Sequence, residues 1–321
     1  MRKLIIQIPC YNEEKTLGMT IDALPREVPG VDVVEILVID DGSTDRTTEV
    51  AREHGAHHVV RIQRNRGLAR AFMIGLDHSI KYGADIIVNT DADNQYNADD
   101  IPALIAPILN GKAEIVIGAR PIAEIQHFSP LKKLLQRVGS AVVRMASGTN
   151  IPDAPSGFRA MTREAAMRLN VFGDYTYTLE TIIQAGRKNM AITSVPVRTN
   201  PYARPSRLVS SIPRYIQRSL FTIVRIFMTY RPFRFFAGQG IICIAIGLIP
   251  SIRFLYFYIN GAGSGHVQSL LFGVLFLGLG AALIVIGLVA DLIGVNRMLL
   301  EDIRWRVREM EYHDHARRSG R

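Results

Sequence analysis

Asp91 and Asp93 stand two residues apart at the end of an apolar run, Asp85 to Thr90, with small Ala92 between them and Gln95 just beyond. On an extended chain, residues two apart point to the same side. Two carboxylates forced together at a strand end repel unless a cation sits between them. An all-oxygen donor set selects a hard divalent ion, Mg2+ or Mn2+. An ion held by only two or three protein oxygens keeps positions open for phosphate. A lone Asp-x-Asp is more often a solvated acidic turn, so what precedes and follows it must decide.

The surrounding pattern places this pair on a sheet. Apolar runs at Leu4 to Ile8, Val34 to Ile39, His58 to Ile62, Asp85 to Thr90 and Glu114 to Gly118 alternate with amphipathic stretches of helical period. A shorter strand is expected after the loop Asp153 to Arg159, and a last one over roughly Ala191 to Val197. Strands alternating with helices of this length predict an α/β fold with a mostly parallel sheet flanked by helices. Such sheets bind ligands beyond the carboxyl ends of their strands. There the pattern gathers Tyr11, Glu13, Asp40, Asp41, Asp91, Asp93 and Arg120. Asp45 reads as a helix cap, and Gly42 as the residue that permits the turn before it.

At 321 residues the chain can hold one large domain and a smaller part, and its formal net charge is +9. Between Arg198 and Arg234 lie eight arginines and no acidic residue. Ile212, Ile216, Leu220, Ile223 and Phe227 recur there at helical spacing, which predicts a basic amphipathic helix at a membrane interface. No recognition module accompanies this stretch, so nucleic acid is not the expected partner. Two apolar runs, about 238–259 and 270–292, are each long enough to cross a hydrocarbon core of about 30 Å. The connector between them carries no Lys or Arg, whereas the tail after Asn296 carries seven arginines. The positive-inside rule then puts both ends of the hairpin in the cytoplasm. The expected division is a cytoplasmic catalytic domain (1–200), an interfacial segment (201–235), a transmembrane hairpin (236–296) and a basic cytoplasmic tail (297–321). Trp305 is expected at the membrane interface. Cys10 and Cys243, the only cysteines, make no disulfide framework.

Four motifs occur in order: Ile8-Pro9-Cys10-Tyr11-Asn12-Glu13, Val38 to Asp45, Asp91-Ala92-Asp93-Asn94-Gln95, and Ser156-Gly157-Phe158-Arg159-Ala160. Together they resemble the family 2 glycosyltransferases of the GT-A (nucleotide-diphospho-sugar transferase) fold. Within that family the chain is similar to dolichyl-phosphate mannose synthase and the bacterial polyprenyl-phosphate glycosyltransferases, over about residues 4 to 210. The resemblance implies that Pro9, Tyr11, Glu13 and Asp40 hold the nucleotide, with Asp40 meeting the base. It implies Asp91, Asp93 and Gln95 as metal ligands, with Asp91 also at the nucleotide. Arg120 matches an arginine that attends phosphate, and Asp153 would face the sugar or reaction centre. Asp93, Asp153 and Arg120 are thus the expected catalytic set. Lys132, Lys133, Arg204 and Arg207 would meet the acceptor phosphate. Two positions depart from the family pattern: Arg204-Pro205-Ser206-Arg207 replaces a common Gly-Glu-Ser-Lys, and Ala119 stands where Ser is usual.

The expected reaction moves a sugar, with inversion, from a GDP- or UDP-linked donor to a polyprenyl or dolichyl phosphate. A phosphate monoester has a second pKa near 6, so the nucleophile is already anionic and needs no strong base. The alternative is a cellulose-synthase-like or lipid-glycan enzyme that glycosylates a hydroxyl, for which Asp153 or Glu180 could be the base. A non-catalytic scaffold is a third reading, against which the intact Asp91, Asp93 and Gln95 set argues. The expected location is the cytoplasmic face of a plasma membrane or, in a eukaryote, of the ER.

Overall fold

The computed structural model describes residues 1–121, 140–141, 143–171, 177–200, 221, 224–225, 228–261 and 263–318, with side chains to Tyr312. It divides into two units, Met1–Ser219 with Glu301–Arg321, and Leu220–Leu300.

The first unit is built on a seven-stranded sheet. Its strands are β1 (Lys3–Cys10), β2 (Val33–Asp40), β3 (His58–Arg61), β4 (Ile86–Asn89), β5 (Ile115–Ala119), β6 (Arg159–Thr162) and β7 (Ile192–Pro196), in spatial order β3-β2-β1-β4-β6-β5-β7. All neighbours run parallel except β6, which is antiparallel to both β4 and β5. The central strands are near-continuous aliphatic runs because helices cover both of their faces. On one face Leu4, Ile6, Ile8, Ile36, Val38 and Val88 pack with Leu17, Ile21, Leu104 and Ile105 of helices Leu17–Ala23 and Ile101–Leu109. Helix Leu68–Lys81 covers the other, burying Phe72 and Leu76. The sequence pattern anticipated these strands; the antiparallel insertion of β6 has no signature in it.

The second unit contains helix Pro232–Ile259 and the first part of helix Val267–Arg318. Both are long and apolar enough to cross a membrane. They meet along small residues. A Cβ on Gly240 would stand 2.7 Å from the carbonyl oxygen of Gly280, and one on Gly247 2.8 Å from that of Gly273. Gly273, Gly280 and Gly287 recur every seven residues, so one glycine stripe carries the close approach. The last helix does not stop at Leu292; it continues unbroken to Arg318.

From Glu301 onward that helix belongs to the first unit. Glu301 is buried and pairs with Lys188 at 3.0 Å. Arg308 pairs with Asp77 at 2.9 Å and donates to the carbonyls of Met167 and Leu169, at the end of helix Arg163–Arg168. Trp305 lies under the guanidinium of Arg168, at 5.1 Å. The tail is therefore a docked helix, with its half-buried tryptophan packed against the sheet unit.

Candidate active site

The carboxyl ends of β1, β2, β4 and β5 and the amino end of β6 share one edge of the sheet. Register fixes their levels: Cys10 lies beside Asp40, Gln7 beside Asn89, and Asn89 beside Arg159. The antiparallel direction of β6 delivers Ser156 and Gly157 to the place where β4 releases Asp91.

The segment that follows β4 is tied down at nearly every residue. Thr20 Oγ1 donates to the Ala92 carbonyl at 3.0 Å. Asn94 takes the left-handed conformation, with φ of 55°. Asn200 donates from its side chain to the carbonyls of Asn94 and Tyr96 and from its backbone to that of Gln95. The Gln95 amide donates to Asp93 Oδ1 at 3.1 Å. Asp91, only partly exposed, receives no hydrogen bond on its carboxylate among the described residues. Burial, then the negative charge of Asp93, raises its pKa to about 7. A desolvated carboxylate with no hydrogen bond of its own, beside a second carboxylate, is stabilised in its charged form by a cation. The residues therefore fit a hard divalent ion. No cluster of three His, Cys, Asp or Glu side chains occurs among the described residues. The remaining donors would be the Gln95 amide oxygen and oxygens of a diphosphate.

Gly157 presses against this carboxylate. A Cβ there would stand 2.6 and 2.7 Å from the two Asp91 oxygens. Its amide donates to Tyr96 Oη at 2.9 Å, and its carbonyl accepts from Asn89 Nδ2 at 2.8 Å. Asn89 also accepts from Gln7 at 2.9 Å and donates to Tyr177 Oη at 2.9 Å. Arg159, fully buried, donates to the Thr178 carbonyl, Thr181 Oγ1 and the Ser156 carbonyl. Its guanidinium lies 5.1 Å from the centre of the Tyr177 ring. This polar layer beneath the aspartates was missed in the sequence. The available signal was a polar residue inside an aliphatic strand, Gln7 in LIIQIP and Asn89 in IIVNT.

Arg120 and Asp153 bind each other. Arg120 Nε and Nη2 reach the two Asp153 oxygens at 2.8 and 3.1 Å, and the Arg120 amide adds a third bond at 3.1 Å. Their side chains are 7% and 1% exposed. The pair screens Arg120 from solvent and occupies both oxygens that a general base would need. The ring of Tyr96 lies 5.8 Å from the Arg120 guanidinium.

The residues expected at the nucleotide separate into two groups. Tyr11 is 40% exposed at the end of β1 and offers an aromatic face. Pro9 and Asp40 are buried within the sheet. Asp40 accepts from the Ser43 amide and the Thr48 hydroxyl, which fixes the turn after β2. Asp41 accepts from the amides of Arg66 and Gly67, both at 2.8 Å, at the start of helix Leu68–Lys81. Asp45 accepts from the Thr47 amide at 3.0 Å, but the N-cap position of helix Thr47–Glu53 is Arg46 and carries no side-chain cap. Glu13 accepts from Thr16 Oγ1 at 2.9 Å. Lys132, Lys133, Arg204 and Arg207 lie outside the described residues.

A mostly parallel sheet, with an Asp-x-Asp at its carboxyl edge and an antiparallel strand delivering a glycine against it, defines a transferase of the GT-A type. The chain belongs to glycosyl transferase family 2, whose family description matches residues 5–169. It is 31% identical over 217 residues to a UDP-N-acetylglucosamine–dolichyl-phosphate N-acetylglucosaminyltransferase of Methanococcus voltae, covering 60% of this chain and 83% of that one. It is 28% identical over 297 residues to the glycosyltransferase AglJ of Haloferax volcanii, covering 90% and 92%. Among solved structures it resembles glucosyl-3-phosphoglycerate synthase from Mycobacterium tuberculosis, crystallised with Mn2+, UDP and glucosyl-3-phosphoglycerate. The TM-score is 0.54 at 25% identity, covering 69% of this chain and 80% of that one.

Proposed function

We propose that this chain is a membrane-anchored, metal-dependent glycosyltransferase that moves a sugar from a nucleotide diphosphate to a polyprenyl phosphate with inversion. The carrying observation is the unpartnered Asp91 carboxylate beside Asp93 on a tightly bound loop. Relatives that act on lipid phosphates support the acceptor class; besides the Methanococcus protein, an undecaprenyl-phosphate mannosyltransferase of Micrococcus luteus is 29% identical over 207 residues.

When bound, Mg2+ or Mn2+ supplies Lewis-acid stabilisation of the departing diphosphate. Asp91, Asp93 and Gln95 would hold it. The protein's own residues then do the positioning. Thr20, Asn200 and Gly157 fix the Asp91–Tyr96 backbone and the direction of the Asp91 side chain. Tyr11 offers its face to the base, while Asp40 and Asp41 shape the turn beneath it. Arg120 and Asp153, buried and bound to each other, brace the same edge. The acceptor phosphate needs no proton removed at neutral pH, which agrees with an Asp153 already engaged by Arg120. Lys132, Lys133, Arg204 and Arg207 complete the acceptor side in this proposal. The two apolar helices would hold the site at the cytoplasmic leaflet.

The test is transfer from a panel of UDP- and GDP-sugars to polyprenyl phosphate or a lipid-linked glycan, with Mg2+ or Mn2+, read by mass spectrometry. Sugar attached to the lipid monophosphate is the expected product. Labelling of the glycan alone would contradict the proposed acceptor.

A further inference from the structure

We propose that the outward face of the docked tail is a pairing surface for a second copy of this chain, forming a short parallel coiled coil over residues 300–310. The opposite face sets the helix's rotation. Glu301, Trp305, Arg308 and Tyr312, at i, i+4, i+7 and i+11, contact Lys188, Arg168, Asp77 and Arg163. Four contacts along one stripe leave the helix no freedom to turn that face away.

The far face is apolar and bare. Ile303, Val307 and Met310 are 58%, 42% and 60% exposed, and Leu300 precedes them at 67%. Their spacing of three, four and three is the a and d seam of a heptad, with Leu300 and Val307 at a and Ile303 and Met310 at d. Scattered exposed apolar residues need no explanation, but a continuous seam on a rotationally fixed helix does.

Charge selects the occupant. In this heptad Arg306 takes position g and Glu311 the following e, five residues on. A parallel two-helix pair brings g of one helix to that e of the other, so Arg306, which reaches Asp302 of its own helix at 3.1 Å, also meets Glu311 of the second copy, twice by symmetry. An antiparallel pair would instead face g with g and e with e. A lipid surface fits less well, because Asp302, Glu309 and Glu311 alternate with Arg304 and Arg306 beside the seam, where an interfacial helix would carry mainly Lys and Arg. The parallel direction rests on the membrane anchoring proposed above, since two copies inserted alike present their last helices alike.

The experiment uses the full chain in native membranes, with Cys243→Ser, the buried Cys10 retained, and one further cysteine introduced at a time by substitution. Copper phenanthroline oxidation should cross-link the Ile303→Cys, Val307→Cys and Met310→Cys variants several times faster than Asp302→Cys or Glu309→Cys. In the Val307→Cys background, Arg306→Glu or Glu311→Arg alone should slow cross-linking by about fivefold, and the two together should restore it. Equal rates at all five positions, or a double charge swap no better than either single, would overturn the pairing. So would seam cysteines that react with a lipid-phase reagent but do not cross-link. Alkaline carbonate extraction reads the anchoring separately. A chain that washes off while keeping the seam-specific, charge-restored pattern removes the anchoring and leaves the pairing standing.

Discussion

Gly157→Ala tests whether the glycine of the Ser-Gly-Phe stretch sets the position of Asp91, a metal ligand in the proposed function. The new Cβ would stand 2.6 and 2.7 Å from the Asp91 oxygens and 3.0 Å from Cγ, against an ordinary contact beginning at 3.4 Å. Something must retreat by about 0.8 Å. The backbone of Gly157 is held by Tyr96 on its amide and Asn89 on its carbonyl, so it resists. Its φ lies outside the left-handed region, so alanine meets no conformational barrier of its own. The group that yields is the Asp91 side chain. Overpacking of this kind costs roughly 1–3 kcal/mol, and here a flexible carboxylate absorbs it, so the low end applies. Metal–ligand distances tolerate only about 0.2 Å, so the same shift removes a ligand. A misplacement near 1 Å lowers the rate by roughly 100-fold. Mn2+ binding by electron paramagnetic resonance, sugar transfer and thermal unfolding are measured on the same preparation. The expected result is a small loss of stability with a large loss of Mn2+ affinity and turnover. A folded Gly157→Ala protein with unchanged Mn2+ affinity would refute the reasoning.

The pH dependence of metal binding follows from the same carboxylate. Asp91 keeps its proton up to about pH 7 without metal, and the ion requires the carboxylate. Apparent Mn2+ affinity should therefore rise with pH, about tenfold per unit below 7, and level off above it. Calorimetry giving a flat affinity from about pH 5.5 to 7.5 would rule this out. Asp93→Ala should abolish transfer at saturating metal while the circular dichroism spectrum stays unchanged; near-normal turnover would contradict its role as a ligand. Asp153→Ala leaves the buried Arg120 guanidinium without its partner, which should cost about 3–5 kcal/mol in urea unfolding. A loss below about 1 kcal/mol would show that the pair is solvated in solution.

Much of the site was legible in the chain because strands that end in polar residues announce a sheet edge. The pair Asp91 and Asp93, the turn at Asp40 to Asp45 and the exposed Tyr11 all follow from local pattern. What each carboxylate does was not. Asp40 and Asp41 look alike in sequence, yet one accepts from Ser43 and Thr48 and the other from Arg66 and Gly67. Arg120 and Asp153 are 33 positions apart, and no periodicity links them. The tail read only as a basic segment because its docking partners Asp77, Met167, Leu169 and Lys188 lie far back in the chain.

The amino-acid order alone determined the α/β class, the family resemblance and the oxygen-rich pair at a strand end. These depend on backbone period and on side chains a few residues apart. Only the tertiary structure decided that β6 enters antiparallel and sets Gly157 against Asp91. It also decided that Glu301 to Tyr312 dock on the sheet unit while Ile303, Val307 and Met310 face outward. Strand direction and helix rotation are chosen by burial and hydrogen bonding summed over distant segments, and no local stretch of sequence carries that sum.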